Sequence, residues 1–242
     1  MKSKYFSIIF LLLIIIARIL VSDRSVKVMR FYESDMEGKY SGITIVVDPG
    51  HGGRDPGKVG VNGVLEKDIN LAISLKLRDI LEEKGINVIM TRTEDEGLYS
   101  ESDSNKKRTD LKNRIEIINS NNALLAISIH QNSFTEEYVK GAQVFYYAQS
   151  EQGKKLAEII QEQIKEYLKD GNHRKAKSNT NYYMLKHTSC PLVIVECGYL
   201  SNQKEAALLA DSEYQEKMAR AIYLGIEKYL DTLDTTKKSN FR

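Results

Sequence analysis

"ITIVVDPGHGGRDPG", residues 43–57, is the stretch that decides the fold. Ile43 to Val47 are apolar or β-branched without alternation. That pattern predicts a strand buried on both faces, as in a parallel sheet covered by helices. The strand then runs into Asp48, Pro49, Gly50 and His51, and further glycines follow. In an open sheet of this kind the working crevice lies outside the carboxyl ends of the strands. His51 is therefore presented where chemistry is done, on a turn whose glycines let backbone and ligand come close.

Working outward, strands and helices alternate. "EKDINLAISLKLRDILEEKG" (66–85) predicts a helix with Ile69, Ile73, Leu77, Ile80 and Leu81 on one face and Gly85 as its stop. "INVIMTR" (86–92) predicts a second strand, and residues 94–106 a surface loop. "DLKNRIEIINSNN" (110–122) predicts a helix, "ALLAISIH" (123–130) a third strand ending on His130, and "AQVFYY" (142–147) a fourth. "EQGKKLAEIIQEQIKEYLKD" (151–170) predicts a helix burying Leu156, Ile160, Ile164 and Leu168. "PLVIVE" (191–196) predicts a buried strand ending on Glu196. "DSEYQEKMARAIYLGIEKYL" (211–230) predicts a helix capped by Asp211 or Ser212. The order argues for a single α/β domain: three layers, a mostly parallel central sheet, helices on both faces.

The expected boundaries are 1–22 for a signal peptide or membrane anchor, 23–41 for a polar linker, 42–231 for the catalytic domain and 232–242 for a polar, frayed tail. The first segment, "MKSKYFSIIFLLLIIIARILVSD", opens with Lys2 and Lys4 and runs apolar to Val21, broken by Arg18. It fits an export signal and is marginally long enough to span a bilayer, which takes roughly 17–25 apolar residues. No small-x-small cleavage site follows, which favours an uncleaved anchor. The 242 residues are 42% hydrophobic and 28% charged, with a net charge of +2. That near-balance excludes the basic footprint of a nucleic-acid binder. Cys190 and Cys197 flank "PLVIVE", and seven strand steps span about 23 Å. A disulfide needs Cα atoms within about 7 Å, so the two are not expected to bridge.

Four chemically capable residues converge on one sheet edge. His51 follows the first strand, His130 ends the third, Glu196 ends "PLVIVE", and Glu66 starts the helix that packs back from that edge. Two histidines and a carboxylate are the usual three protein ligands of a catalytic zinc, with a fourth position for water. The assignment is His51, Glu66 and His130 as ligands of one Zn2+ and Glu196 as the base that takes the water's proton. Each residue also has a plain alternative. A histidine after a strand is commonly a polar turn residue, and Glu66 suits a helix start through the macrodipole. Asp48 is expected to cap the turn through nearby amides. Glu196 is the hardest to explain structurally, because a carboxylate closing an apolar run costs desolvation. His173 reads as a solvated loop residue; His187, ahead of the Glu196 strand, could line the cleft but is not expected to be a ligand.

These residues also carry a family resemblance. "VVDPGHGGRDPG", the acidic residue opening the next helix, "RIEIINSNNALLAISIHQNS" and "PLVIVECGYLSN" resemble the zinc-dependent N-acetylmuramoyl-L-alanine amidases of bacterial cell walls, from about Ile43 to Leu230. The resemblance implies zinc ligation by His51, Glu66 and His130, catalysis by Glu196, and Asn132 lining the site against substrate. It implies hydrolysis of the amide between N-acetylmuramic acid and L-alanine in peptidoglycan. The chain lacks wall-binding repeats and a plugging helix, and so looks like the germination-specific amidases of spore-formers. Those act on cortex as a step towards muramic-δ-lactam. The expected place of action is the outer face of the cytoplasmic membrane or the forespore intermembrane space, with a positioning or activating partner protein. The competing readings are a zinc peptidase cutting stem peptides and a wall-binding module without chemistry. A metal-free glycosidase using Glu66 and Glu196 as its acid pair leaves both histidines unexplained.

Overall fold

The computed structural model describes residues 39–239. The segment expected as an anchor and most of the linker lie outside the described residues. Among the described residues no helix is long and apolar enough to cross a membrane. The elements are β1 (Thr44–Pro49), α1 (Glu66–Glu83), β2 (Asn87–Met90), α2 (Lys106–Ser120), β3 (Leu125–Asn132), β4 (Gln143–Tyr147), α3 (Glu151–Leu168), β5 (Lys177–Asn179), α4 (Tyr183–His187), β6 (Leu192–Tyr199), α5 (Gln203–Ala210) and α6 (Ser212–Ser239).

The six strands form one sheet in the order β2-β1-β3-β6-β4-β5. β2, β1, β3 and β6 run parallel, as the unbroken apolar runs predict. β4 pairs antiparallel with β6, and β5 parallel with β4. The sheet is therefore mixed. No helix separates β3 from β4, so the chain returns through a loop instead of a helical crossover, and β4 enters with reversed direction.

Helices cover both faces. On one face α2 and α4 close a cluster of Val46, Ile115, Ile118, Ala126, Phe145, Met184, Leu185, Leu192 and Ile194. On the other, α6 packs along α1 and α3. Capping sets several starts: the Asn105 side chain accepts from the Arg108 amide at α2, and the Ser150 hydroxyl from the Gly153 amide at α3. Gly85, at φ +79°, ends α1 as its position predicts.

Two expectations on extent are corrected. α6 does not stop at Leu230 but runs to Ser239, because "DTLDTTKKS" contains neither glycine nor proline to end it. β6 does not stop at Glu196 but continues to Tyr199. Cys190 and Cys197 are both free thiols, as their spacing predicts.

Gly225 lets α6 come close against α3. A Cβ built there would stand 2.7 Å from the Ile160 Cα on α3. Gly225→Val should push α6 off α3 and lower unfolding stability by about 1–3 kcal/mol, the usual cost of overpacking. Urea denaturation followed by circular dichroism measures this.

Candidate metal centre

His130 and Glu196 are direct register partners on the adjacent parallel strands β3 and β6. Asp48 is the partner of Ser128 on β1, so Gly50 comes level with His130. The imidazole of His130 lies across Gly50, where a Cβ would stand 2.2 Å from the ring. Only glycine allows that approach. The next residue, His51, has φ +62°, a left-handed conformation that costs an L-residue about 1–2 kcal/mol. That turn swings its imidazole back over the strand end. The His51 and His130 rings stand edge to face with centroids 5.0 Å apart.

Glu66, the first residue of α1, supplies the carboxylate between them. Its Oε1 lies 3.1 Å from His51 Nε2 and 3.0 Å from His130 Nδ1. The Gln131 amide also donates to Oε1 at 3.1 Å, and the Lys58 amide to Oε2 at 2.7 Å. The Glu66 side chain is only 3% exposed, against 20% for His51 and 22% for His130. Burial alone would favour its neutral form. The hydrogen bonds and charges of His130 and His51 outweigh that and hold it well below the usual carboxylate range.

The three donors fit a divalent metal ion. One ligand atom of each lies within 4.8 Å of the others. Glu66 Oε1 stands 3.1 Å and 3.0 Å from the two imidazole nitrogens, close enough for one ion to take all three donors. His51 Nδ1 donates to Asp55 Oδ2 at 2.9 Å, which fixes the ring and leaves Nε2 facing inward. A carboxylate behind a ligating imidazole is the common outer support of a metal site. Burial opposes protonation of His51, but Asp55 and Glu66 together raise it to about 9.

Glu196 stands apart from this cluster in its bonding. It is 8% exposed, and its Oε2 is buried without a hydrogen-bond partner. Burial pushes its carboxyl up to about 7; the His130 charge pulls the other way and the Glu66 charge adds to the rise. Asn132 ends β3 two residues beyond His130, past a register shift, with its Oδ1 accepting from the Ser133 amide.

The remaining histidines lie elsewhere. His173 is an exposed loop residue. His187 ends α4, where Nδ1 bonds the Tyr183 carbonyl and its own carbonyl accepts from Asn119 at the last turn of α2. That places it towards the amino ends of the strands, so it does not line the cleft as expected. Asp48 is corrected too. It does not cap the turn but lies buried beneath it, accepting from Thr91 Oγ1 (2.6 Å), Ser128 Oγ (2.6 Å) and the Arg114 guanidinium (2.7 Å). The sequence reading missed Asp55, whose signal was its place four residues after His51. It also missed Arg114 and Arg92, which a sequence alone assigns to the surface.

Known proteins share both the sequence and the fold. The family signature described as N-acetylmuramoyl-L-alanine amidase matches residues 45–228. A germination-specific N-acetylmuramoyl-L-alanine amidase of Bacillus subtilis (strain 168) is 42% identical over 192 residues, covering 78% of this chain and 80% of the relative. Among solved structures, the CwlD amidase from Clostridioides difficile in complex with the GerS lipoprotein is similar with a TM-score of 0.77 and 46% identity, over 79% of this chain and 100% of that one. The AmiC2 amidase of Nostoc punctiforme has a TM-score of 0.70 and 36% identity, over 79% and 99%. With a family match across most of its length and relatives well above 30% identity, the chain belongs to the N-acetylmuramoyl-L-alanine amidases, enzymes that hydrolyse the amide between N-acetylmuramic acid and L-alanine in peptidoglycan.

Proposed function

We propose that this amidase is zinc-dependent, with His51, Glu66 and His130 as the ligands and Glu196 as the catalytic acid–base. The observation that carries the assignment is the contrast between the two buried carboxylates. Glu66 is saturated by imidazoles and amides, whereas Glu196 keeps an unpartnered oxygen beside the same cluster. Zinc held by these residues would supply a Lewis acid for the scissile carbonyl and would make the attacking water easier to deprotonate.

The chain's own residues do the rest. Glu196 Oε2 takes a proton from the attacking water. The same carboxyl then returns it to the departing alanine nitrogen as the amide C–N bond breaks. A carboxyl raised towards neutrality by burial is suited to both halves of that shuttle. Gly50 keeps the cleft floor free of side-chain bulk beneath His130. Asn132, at the same strand end, is assigned to hold the substrate.

The proposed substrate is spore-cortex peptidoglycan, cut as a step towards muramic-δ-lactam. Support comes from the relative at 42% identity, which is named germination-specific. Action outside the cytoplasm follows from that substrate. An anchor in residues 1–22 would hold the domain at the membrane. A positioning or activating partner is proposed on the example of CwlD, which is bound to a lipoprotein in its crystallised complex. A full chain that digests cortex at its maximal rate without additions overturns the partner.

Glu196→Gln should retain the wild-type zinc content by elemental analysis while losing about 10²–10⁴-fold in turnover. Wall hydrolysis by that variant at near wild-type rate would reverse its role. His51→Ala and His130→Ala should each lower the bound zinc per chain; unchanged stoichiometry contradicts ligation. Asn132→Ala should raise KM more than it lowers kcat on purified wall. Digestion of cortex should stop with a chelator and otherwise release intact glycan strands and free stem peptides by mass spectrometry. Cut crosslinks on intact sugar–peptide bonds would instead indicate a peptidase.

A further inference from the structure

Beneath the turn that carries His51 lie two arginines that the reaction itself does not use. Both Arg92 and Arg114 are only 2% exposed. Four of their hydrogen bonds go to backbone carbonyls of one short stretch. Arg114 Nη1 donates to the Pro49 carbonyl at 2.7 Å, and its Nη2 to the His51 carbonyl at 2.6 Å. Arg92 Nε donates to the Pro49 carbonyl at 3.0 Å, and its Nη2 to the Gly50 carbonyl at 3.1 Å. Three successive carbonyls, of residues 49, 50 and 51, are thus held from below by two fixed cations.

The clamp is itself anchored. Arg114 pairs with Asp48 at 2.7 Å and, through Nε, with Asp110 on its own helix at 2.6 Å. Arg92 Nη2 also reaches the Lys67 carbonyl at 2.9 Å, tying the turn to the first turn of α1, where Glu66 sits. Asn70 completes the frame from α1, donating to the Gly50 carbonyl at 3.0 Å. Two like charges so close are unfavourable, and burial followed by the Arg114 charge lowers Arg92 to about 10. A fold that needed only filling here would do better with apolar side chains.

We propose that Arg114 and Arg92 are positioning residues for the metal centre: by holding the carbonyls of Pro49, Gly50 and His51 they keep His51 in its left-handed conformation and aim its Nε2 at the atoms of Glu66 and His130. The inference rests on the metal reading of that cluster. Lysine cannot replace either arginine in this role. One ammonium cannot serve the two carbonyls and two carboxylates that Arg114 holds, or the four carbonyls that Arg92 holds, as a planar five-donor guanidinium does.

The test measures affinity for zinc alone, by competition with a chromophoric chelator, alongside the melting temperature of the metal-free protein. Arg114→Lys keeps the charge opposite Asp48 and loses the span to His51. It should weaken zinc binding about 10–100-fold, the range seen when outer supports of a metal site are removed. Should Arg114→Lys fail to fold, two gentler variants carry the test. Arg92→Lys releases Gly50 and Lys67, and Asp110→Asn loosens Arg114 from outside the turn. At least tenfold weaker zinc binding by either, in a chain that melts cooperatively without metal, supports the clamp. Wild-type affinity in both folded variants, with only a lower melting temperature, reduces the arginines to structural supports and overturns it. A wild-type chain that binds no divalent ion overturns the metal reading itself, and the clamp with it.

Discussion

One carboxylate oxygen holds the working end of this molecule together. Glu66 Oε1 meets an imidazole nitrogen from β1's turn, another from β3 and a backbone amide of β3. It joins residues that are 15 and 64 positions from it along the chain. A buried anion in that position is tolerable only while positive or polar groups surround it. The left-handed His51, the bare Gly50 and the glycine-rich loop before α1 together bring such groups to it.

The second buried acid shows how the same sheet edge yields opposite chemistry. Glu66 opens α1 and Glu196 lies on β6, and both are out of water. Glu66 is ionised by its partners; Glu196, with fewer, is pushed towards neutrality. Two titratable groups driven apart by their surroundings are a common signature of an acid–base site. The difference lies in the hydrogen bonds and charges that surround Glu66 and that Glu196 has fewer of.

Much of this was legible in the sequence, because parallel strands buried on both faces leave unbroken apolar runs whose ends can be read directly. Val47, Ile129 and Val195 precede the polar residues that the structure brings to one edge. What escaped was of three kinds. β5, α4 and α5 are three, five and eight residues long, too short for a period to emerge. α5 did carry a signal in Asn202, which accepts from the Lys204 and Glu205 amides. The direction of β4 escaped because an apolar run looks the same read either way. The buried ion pair of Asp48 with Arg114 escaped because composition sends arginine outward, and only a carbonyl-rich turn above it explains why this one is inside.

The two outermost strands are the shortest in the sheet, four residues in β2 and three in β5. A strand margin with few unpaired amides gives a passing chain little to zip onto, so self-association through the sheet is disfavoured. Such blunt margins offer a second copy of the sheet little to pair with.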